Sequence, residues 1–331
     1  MASRRRKKSG GRSYAWRYRG RIVACVFVEV IIICALVIMI GWNKGVKEWF
    51  EQFEQPVLKE VDISGINSPN AILMQARGGK ILGEINGEAQ IYPASMTKIM
   101  TVILGIENFD DLDEKITLTN EMFSGLYEQD ATQAGFQPGE EVRVIDLLYG
   151  AMLPSGAECC IALADTISGS EADFAELMNK KARKLGMENT NFCDSTGLHN
   201  PDHYSTVKDI AVLMKYCIKN DTFREIVETS RHSTGVTNIH PDGITYYSTM
   251  FKNLSDPTVT GGKILGGKTG YTSEAGHCLV SFAEIEGREY IFVSAGASGA
   301  DGNTIPHIQD AVTVYNRVGA AIEAKMNDNN K

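Results

Sequence analysis

"YPASMTKIM", residues 92–100, decides what the rest of the chain has to be. It puts Ser95 and Lys98 three positions apart at an expected helix start, just after Pro93. On a helix, residues i and i+3 are neighbours, so the lysine amine can reach the serine hydroxyl. A serine hydroxyl becomes a useful nucleophile only when a base takes its proton, and a lysine can be that base once burial or a nearby cation lowers its pKa. A serine in the first helical turn also lies beside free backbone N–H groups that can hold an oxyanion.

Spacing alone is not specific, because "STVK" at Ser205–Lys208 repeats it. There the bland explanation is better: Thr206 and Asp209 have the spacing of a helix cap before an apolar run. Two further segments separate the copies. "LPSGAECC" (153–160) places Ser155 after a helix break at Pro154, and "GGKTGYTSEAGHCLVSFA" (266–283) carries a single Lys-Thr-Gly, Lys268–Gly270, on an expected strand. Ser-x-x-Lys, then a serine, then Lys-Thr-Gly is the ordered set of the penicillin-interacting serine enzymes.

With those residues in place, the chain resembles the low-molecular-mass penicillin-binding proteins that are D-alanyl-D-alanine carboxypeptidases. The resemblance runs from about Ala71 to the final helix. It covers, in order, "YPASMTKIMT", "VRVIDLLYGAML" leading into "PSGAE", "LGMENTNFCDSTGLHNPDHYSTVKDIA" and "KTGYTSEAGHCLVSFA". It implies that Ser95 attacks the bond between the terminal D-alanines of a peptidoglycan stem pentapeptide, forming an acyl-enzyme, with Lys98 as base and Ser155 as proton relay. Lys268 and Thr269 would hold the substrate carboxylate, Gly270 would permit close approach, and the N–H groups of Ser95 and Tyr271 would form the oxyanion hole. β-Lactams would be inhibitors, and neither a cofactor nor a metal is implied. Many relatives carry a small β-rich domain after the catalytic one; here the residues after "VSAGA" read as one helix, that domain is expected to be absent, and the N-terminal anchor would replace the C-terminal membrane helix some relatives use.

One position departs from the pattern. The family's second motif is Ser-x-Asn, whereas this chain reads Ser155-Gly156-Ala157. The missing amide puts rate and substrate preference in question, and it leaves open a catalytically weak penicillin-binding sensor or scaffold. A serine β-lactamase, the other alternative, needs a carboxylate to activate its deacylating water, and Glu188 in "LGMENTNF" is the nearest candidate.

Strand signals come early, in "AILMQARGGKILGEING" (71–87), and late, in "HCLVSFAEI" (277–285) and "EYIFVSAGA" (289–297); helical periodicity fills the middle. The apolar spacing of Val142, Ile145, Leu148 and Met152 reads as one helix ending at Pro154. The expected fold class is α+β: an antiparallel sheet built from both chain ends, with helices inserted between them and a cleft at the junction. "HIQDAVTVYNRVGAAIEAKM" reads as the closing helix.

The first 42 residues point to a membrane. Residues 1–21 hold nine Lys or Arg and no acid, and removing these and Glu29 from the formal charge of −8 leaves −16 for residues 43–331. Residues 22–42, with one charge, match the ~20 apolar residues that span a bilayer, and the positive-inside rule keeps the basic end cytoplasmic. The expected organisation is a cytoplasmic tail (1–21), an uncleaved anchor in membrane lipid (22–42), a stalk (43–65), the carboxypeptidase domain outside the membrane (66–325) and a polar tail (326–331). Trp42, Trp49, Phe50 and Phe53 suit an interfacial stalk and a plain linker helix equally. An acidic external part without a basic stripe excludes a nucleic-acid role.

Five cysteines lie beyond the anchor, an odd number that rules out a fully paired disulfide framework; one bridge from Cys159 or Cys160 to Cys193 stays open. Metal-ligand spacing is absent, and His199 and His203 read as polar contacts in a turn-rich loop.

Overall fold

The computed structural model describes residues 58–254, 256–299 and 305–329. The basic tail, the membrane segment and residues 43–57 of the stalk lie outside the described residues, and among those described no helix is long and apolar enough to cross a membrane. The chain opens with strands β1 (Asn70–Gln75) and β2 (Ile81–Ile85), then a 3-10 turn (Ala94–Thr97) that leads into α1 (Lys98–Asn108). A ribbon of β3 (Lys115–Thr117) and β4 (Glu141–Arg143) precedes α2 (Val144–Met152), α3 (Ala157–Ser168), α4 (Glu171–Leu185), α5 (Val207–Cys217) and α6 (Asp221–Glu228). A second ribbon, β5 (Arg231–Ser233) with β6 (Thr245–Tyr247), and the short α7 (Thr249–Asn253) follow. β7 (Thr258–Val259), β8 (Gly262–Thr272), β9 (Gly276–Ile285), β10 (Arg288–Ala297) and α8 (Pro306–Asn329) complete the fold.

The sheet has the order β2-β1-β10-β9-β8-β7, antiparallel at every pairing. The two chain ends therefore meet at its centre, where Ile72 faces Val293 and Leu73 faces Phe292 in register. Successive side chains on a strand point to opposite faces. Ile72, Val280, Phe282, Ile291 and Val293 pack against helices α1 to α6, while Leu73, Leu279, Tyr290 and Phe292 pack against α8 through Val314, Tyr315 and Val318. Burial on both faces explains why β9 and β10 read as continuous apolar runs rather than an alternating pattern.

Tyr315 ties α8 to the sheet with more than its ring. Its hydroxyl lies 3.1 Å from Ser281 Oγ and accepts the Phe292 N–H at 3.1 Å, all three residues being buried. Removing an acceptor from a buried N–H costs about 1–3 kcal/mol. Tyr315→Phe is thus expected to lower the unfolding free energy by that amount, read as a lower urea midpoint at unchanged slope; a loss below about 0.5 kcal/mol would show that the bond is not needed.

Three expectations are corrected. The stalk does not extend to residue 65: Leu58, Val61 and Ile63 are buried in the core under α8, and the Val61 N–H donates to Leu82 O at 2.7 Å. Residues 326–329 are not a separate tail, because α8 runs to Asn329 and Met326 packs on the same core. Val142 does not belong to the helix of Ile145 and Leu148; it pairs with Ile116 in the β3–β4 ribbon, and α2 starts at Val144. The open disulfide question closes as well, since all five cysteines among the described residues are free thiols.

Candidate active site

Ser95 lies in the 3-10 turn that enters α1, at the junction between the helical region and strand β8. Ala94, just before it, holds a left-handed φ of 47°, and so does Ser155 at 72°. Such backbone costs roughly 1–3 kcal/mol per residue in non-glycine positions and persists only where surroundings enforce it. Both strained residues border the same cluster of side chains.

Lys98 begins α1 and is almost wholly buried at 3% exposure. Its Nζ donates to Ser95 Oγ at 2.9 Å and to the Thr196 carbonyl at 2.7 Å. Lys268, 1% exposed on β8, donates from Nζ to Ser155 Oγ at 2.9 Å and to the Thr269 carbonyl at 2.8 Å. Thr269 Oγ1 sits 2.7 Å from Thr249 Oγ1 of α7. Gly270 lies where β8 crosses the turn: a Cβ there would stand 3.0 Å from the Ser95 nitrogen and 3.2 Å from Ala94 Cβ. Tyr271 follows with its side chain largely exposed, its ring 4.7 Å from that of His277. Ser95, Lys98, Ser155, Lys268, Thr269 and Gly270 are thus brought together from three distant parts of the chain, and Tyr271 sits at their edge.

Electrostatics follow from burial. Desolvation pulls the Lys98 pKa below its ordinary 10.5, against the opposing influence of Cys160, Asp194, Glu158 and Cys159. Lys268 is pulled well below that value, by burial first and by the Lys98 charge second. Two ammonium groups without a carboxylate bonded to either are costly in low dielectric, so the pair favours giving up a proton. Burial raises the Cys160 thiol to about 12, so it is no rival nucleophile.

Ala157 is 1% exposed, and its N–H donates to Thr132 O at 2.8 Å. Next to it, Glu158 is fully buried; its Oε1 accepts the N–H groups of Ala134 (2.6 Å) and Gly135 (2.9 Å), and burial raises its pKa. The loop 132–135 therefore closes directly over the Ser155–Ala157 segment. Glu188 is exposed beyond the end of α4. Among the described residues no cluster of three or more His, Cys, Asp or Glu side chains could hold a metal ion.

Sequence reasoning missed a second group beneath these residues. Asp194 Oδ1 accepts Thr196 N, Thr196 Oγ1 and Gly197 N, each at 2.7 Å, while Oδ2 lies 3.1 Å from His203 Nδ1. His203 Nε2 lies 2.8 Å from Thr97 Oγ1. The segment "CDSTGLHNPDHYST" carried these residues in plain sight, but nothing in its spacing tells which of them turn inward.

Comparison with known proteins agrees with this geometry. A family model described as D-alanyl-D-alanine carboxypeptidase matches residues 57–299. The chain is 35% identical over 231 residues to D-alanyl-D-alanine carboxypeptidase DacF of Bacillus subtilis, covering 69% of this chain and 57% of that protein. It is 33% identical over 262 residues to DacC of Escherichia coli, covering 72% and 58% respectively. The chain thus spans little more than half the length of these curated relatives. The crystal structure of the Streptomyces K15 DD-transpeptidase superposes with a TM-score of 0.69 at 29% identity, covering 79% of this chain and all of that one. A D-alanyl-D-alanine carboxypeptidase from Mycobacterium tuberculosis, at 21% identity and a TM-score of 0.69, shares the fold. A match over most of the chain, motifs in the same order and side chains that converge in space lead to one conclusion: the chain belongs to the D-alanyl-D-alanine carboxypeptidase family.

Proposed function

We propose that the protein is a serine D-alanyl-D-alanine carboxypeptidase that removes the terminal D-alanine from peptidoglycan stem pentapeptides. The observation that carries this is the paired geometry of Lys98 Nζ on Ser95 Oγ and Lys268 Nζ on Ser155 Oγ, each at 2.9 Å. Neutral Lys98 takes the Ser95 proton as Oγ attacks the carbonyl carbon between the two D-alanines. Backbone N–H groups of Ser95 and Tyr271 hold the oxyanion. As the C–N bond breaks, the departing amine receives a proton through Ser155, and water then cleaves the Ser95 ester. Lys268 and Thr269 hold the substrate carboxylate, an apt task for a cation beside a hydroxyl. β-Lactams, whose strained amide and carboxylate imitate that substrate, would acylate Ser95.

The N-terminal pattern supports a location outside the cytoplasmic membrane, with residues 22–42 as a lipid anchor and residues 1–21 inside. Ala157 favours a second function: without the Asn amide, a protein that binds penicillin but turns over little would serve as a sensor or scaffold.

The deciding experiment measures D-alanine release from a pentapeptide by the full chain, with Ser95→Ala as control and Ala157→Asn beside it. Release that vanishes in Ser95→Ala is expected, with the native Ala157 enzyme active. A native chain that is acylated by penicillin yet releases no D-alanine, with release appearing only after Ala157→Asn, would instead establish the sensor or scaffold.

A further inference from the structure

We propose that Asp194, His203 and Thr97 form a positioning relay that holds the Lys98 amine against Ser95 and sets the charge it carries. The proposal depends on Ser95 being the acylated residue and adds to it a group that touches no substrate. Thr97 lies between Ser95 and Lys98 in the chain and is fully buried, yet its hydroxyl meets His203 rather than either of them. From there the contacts close a ring. Thr97 Oγ1 to His203 Nε2 is 2.8 Å, His203 Nδ1 to Asp194 Oδ2 is 3.1 Å, and Thr196 Oγ1 to Asp194 Oδ1 is 2.7 Å. The Thr196 carbonyl then accepts Lys98 Nζ at 2.7 Å, and the Thr97–Lys98 peptide bond completes the circuit.

The ring has no slack. His203 is 2% exposed, with the edge of Phe192 against it at 5.5 Å between ring centroids. The Ser195 carbonyl accepts Thr101 Oγ1 from α1 at 2.6 Å, and Ser195 Oγ donates to Glu171 of α4 at 2.5 Å. The loop is therefore pinned to α1 and α4 at Ser195, the residue next to Thr196. A carbonyl so fixed can place an amine to within a few tenths of an ångström, which is the tolerance that proton transfer needs.

The tautomer of His203 follows from charge. The Cys193 N–H faces Nδ1 at 3.2 Å, and the ring could accept it only with the proton on Nε2. That form would point an Nδ1 lone pair at the Asp194 carboxylate. Asp194 is anionic, with a pKa of about 2: burial alone would raise it, but the His203 and Thr196 hydrogen bonds outweigh that cost. A charge-assisted bond to a carboxylate is about twice as strong as a neutral one. The proton thus sits on Nδ1, and Nε2 accepts from the Thr97 hydroxyl.

The same anion acts on Lys98 through space. The groups acting on the lysine are Glu158, Cys159 and Cys160 from α3 and Asp194 from the loop side, and Lys268 of β8 lies within reach of its charge. Both thiols and the Glu158 carboxyl have raised pKa values. Asp194 is the acid among them whose pKa is held down, and its field opposes the loss of the Lys98 proton. Removing that charge must lower the Lys98 pKa, so the amine stays neutral to more acidic pH.

Acylation by a chromogenic penicillin, followed from about pH 5 to 9 on the full chain, tests this in three variants. Thr97→Val is expected to slow acylation about tenfold, and Thr97→Ser, which keeps the hydroxyl, to recover it within about threefold. Asp194→Asn is expected to move the acid limb of the profile down by about one pH unit. Equal rates for the Val and Ser variants, or an unmoved limb in a folded Asp194→Asn protein, would overturn the relay. If the wild-type chain is not acylated at all, the nucleophile assignment fails instead. The relay is then read from the titration of ε-labelled Lys98 by NMR, assigned by its loss in Lys98→Met, where an unchanged midpoint in Asp194→Asn overturns it.

Discussion

Lys98→Met is expected to slow acylation of Ser95 by about 10³–10⁴-fold and to leave the melting temperature unchanged or raised. The first half follows from role: without a base 2.9 Å from its Oγ, half-buried Ser95 must lose its proton to water, a far weaker base than a neutral amine. The second follows from burial. Lys98 is 3% exposed, is bonded to a hydroxyl and a carbonyl rather than a carboxylate, and faces a second buried lysine. Methionine fills similar volume without a charge to desolvate, so the fold gains what the chemistry loses. The pH dependence carries a definite sign. A lysine whose folded pKa lies below its unfolded value binds fewer protons when folded, so stability rises with pH through the interval between the two. Lys98→Met should flatten that rise, as read from melting temperatures across the alkaline range. Acylation within tenfold of wild type would remove Lys98 from the chemistry.

The two lysines also explain how one site can hold both a base and a cation. Two buried lysines this close interact, and a proton shared between such a pair goes where an anion waits for it. Burial lowers both pKa values, that of Lys268 the further. Under the proposed function, a substrate carboxylate at Lys268 would draw the proton there and leave Lys98 neutral beside Ser95. A stem peptide amidated at its C-terminus should accordingly lose turnover at saturation, not only affinity.

Much of this site is legible in the sequence because its parts are local. Ser95 and Lys98 meet through helical spacing, and Lys268 to Gly270 stand on one strand. The decoy at Ser205–Lys208 could be dismissed for a local reason too: Thr206 caps α5, accepting the Asp209 N–H at 3.0 Å, while Ser205 Oγ meets Thr190. What stayed hidden depends on distance along the chain. β10 inserts between β1 and β9, pairing residues more than 200 positions apart, and no periodicity reports such a partner. The Thr196 carbonyl is a backbone group, so any residue type could have supplied it; only the fold turns it toward Lys98. Likewise Leu58, Val61 and Ile63 read as a linker, because too few residues lie there to show a strand period, yet all three are buried.

Gly197→Ala is expected to be the most damaging single-methyl change in the loop under the active site. Gly197 has φ of +81°, and a Cβ added there would fall 1.9 Å from the Ala94 carbonyl oxygen and 2.8 Å from Thr97 Oγ1. The backbone penalty for alanine in that conformation is about 1–2 kcal/mol. Gly186, the C-cap of α4, isolates that term: its φ is +80°, and a Cβ there meets nothing within 4 Å. Gly186→Ala should therefore cost only that strain, whereas Gly197→Ala adds an overlap between two backbones that a side-chain rotation cannot relieve. Overpacking in a filled interior costs a further ~1–3 kcal/mol, for a total near 4 kcal/mol and a fall in melting temperature of roughly 10 °C. The consequence for chemistry is larger than for stability, because the atoms that must yield are Ala94 O, one residue from the nucleophile, and Thr97 Oγ1. A shift of about 1 Å in such a turn can cost 10²-fold in rate. Gly197→Ala should then lose acylation under conditions where Gly186→Ala retains it and both proteins remain folded. Equal melting temperatures and equal acylation for the two variants would mean that the loop yields freely, and that Ser95 is not held by the surface beneath it.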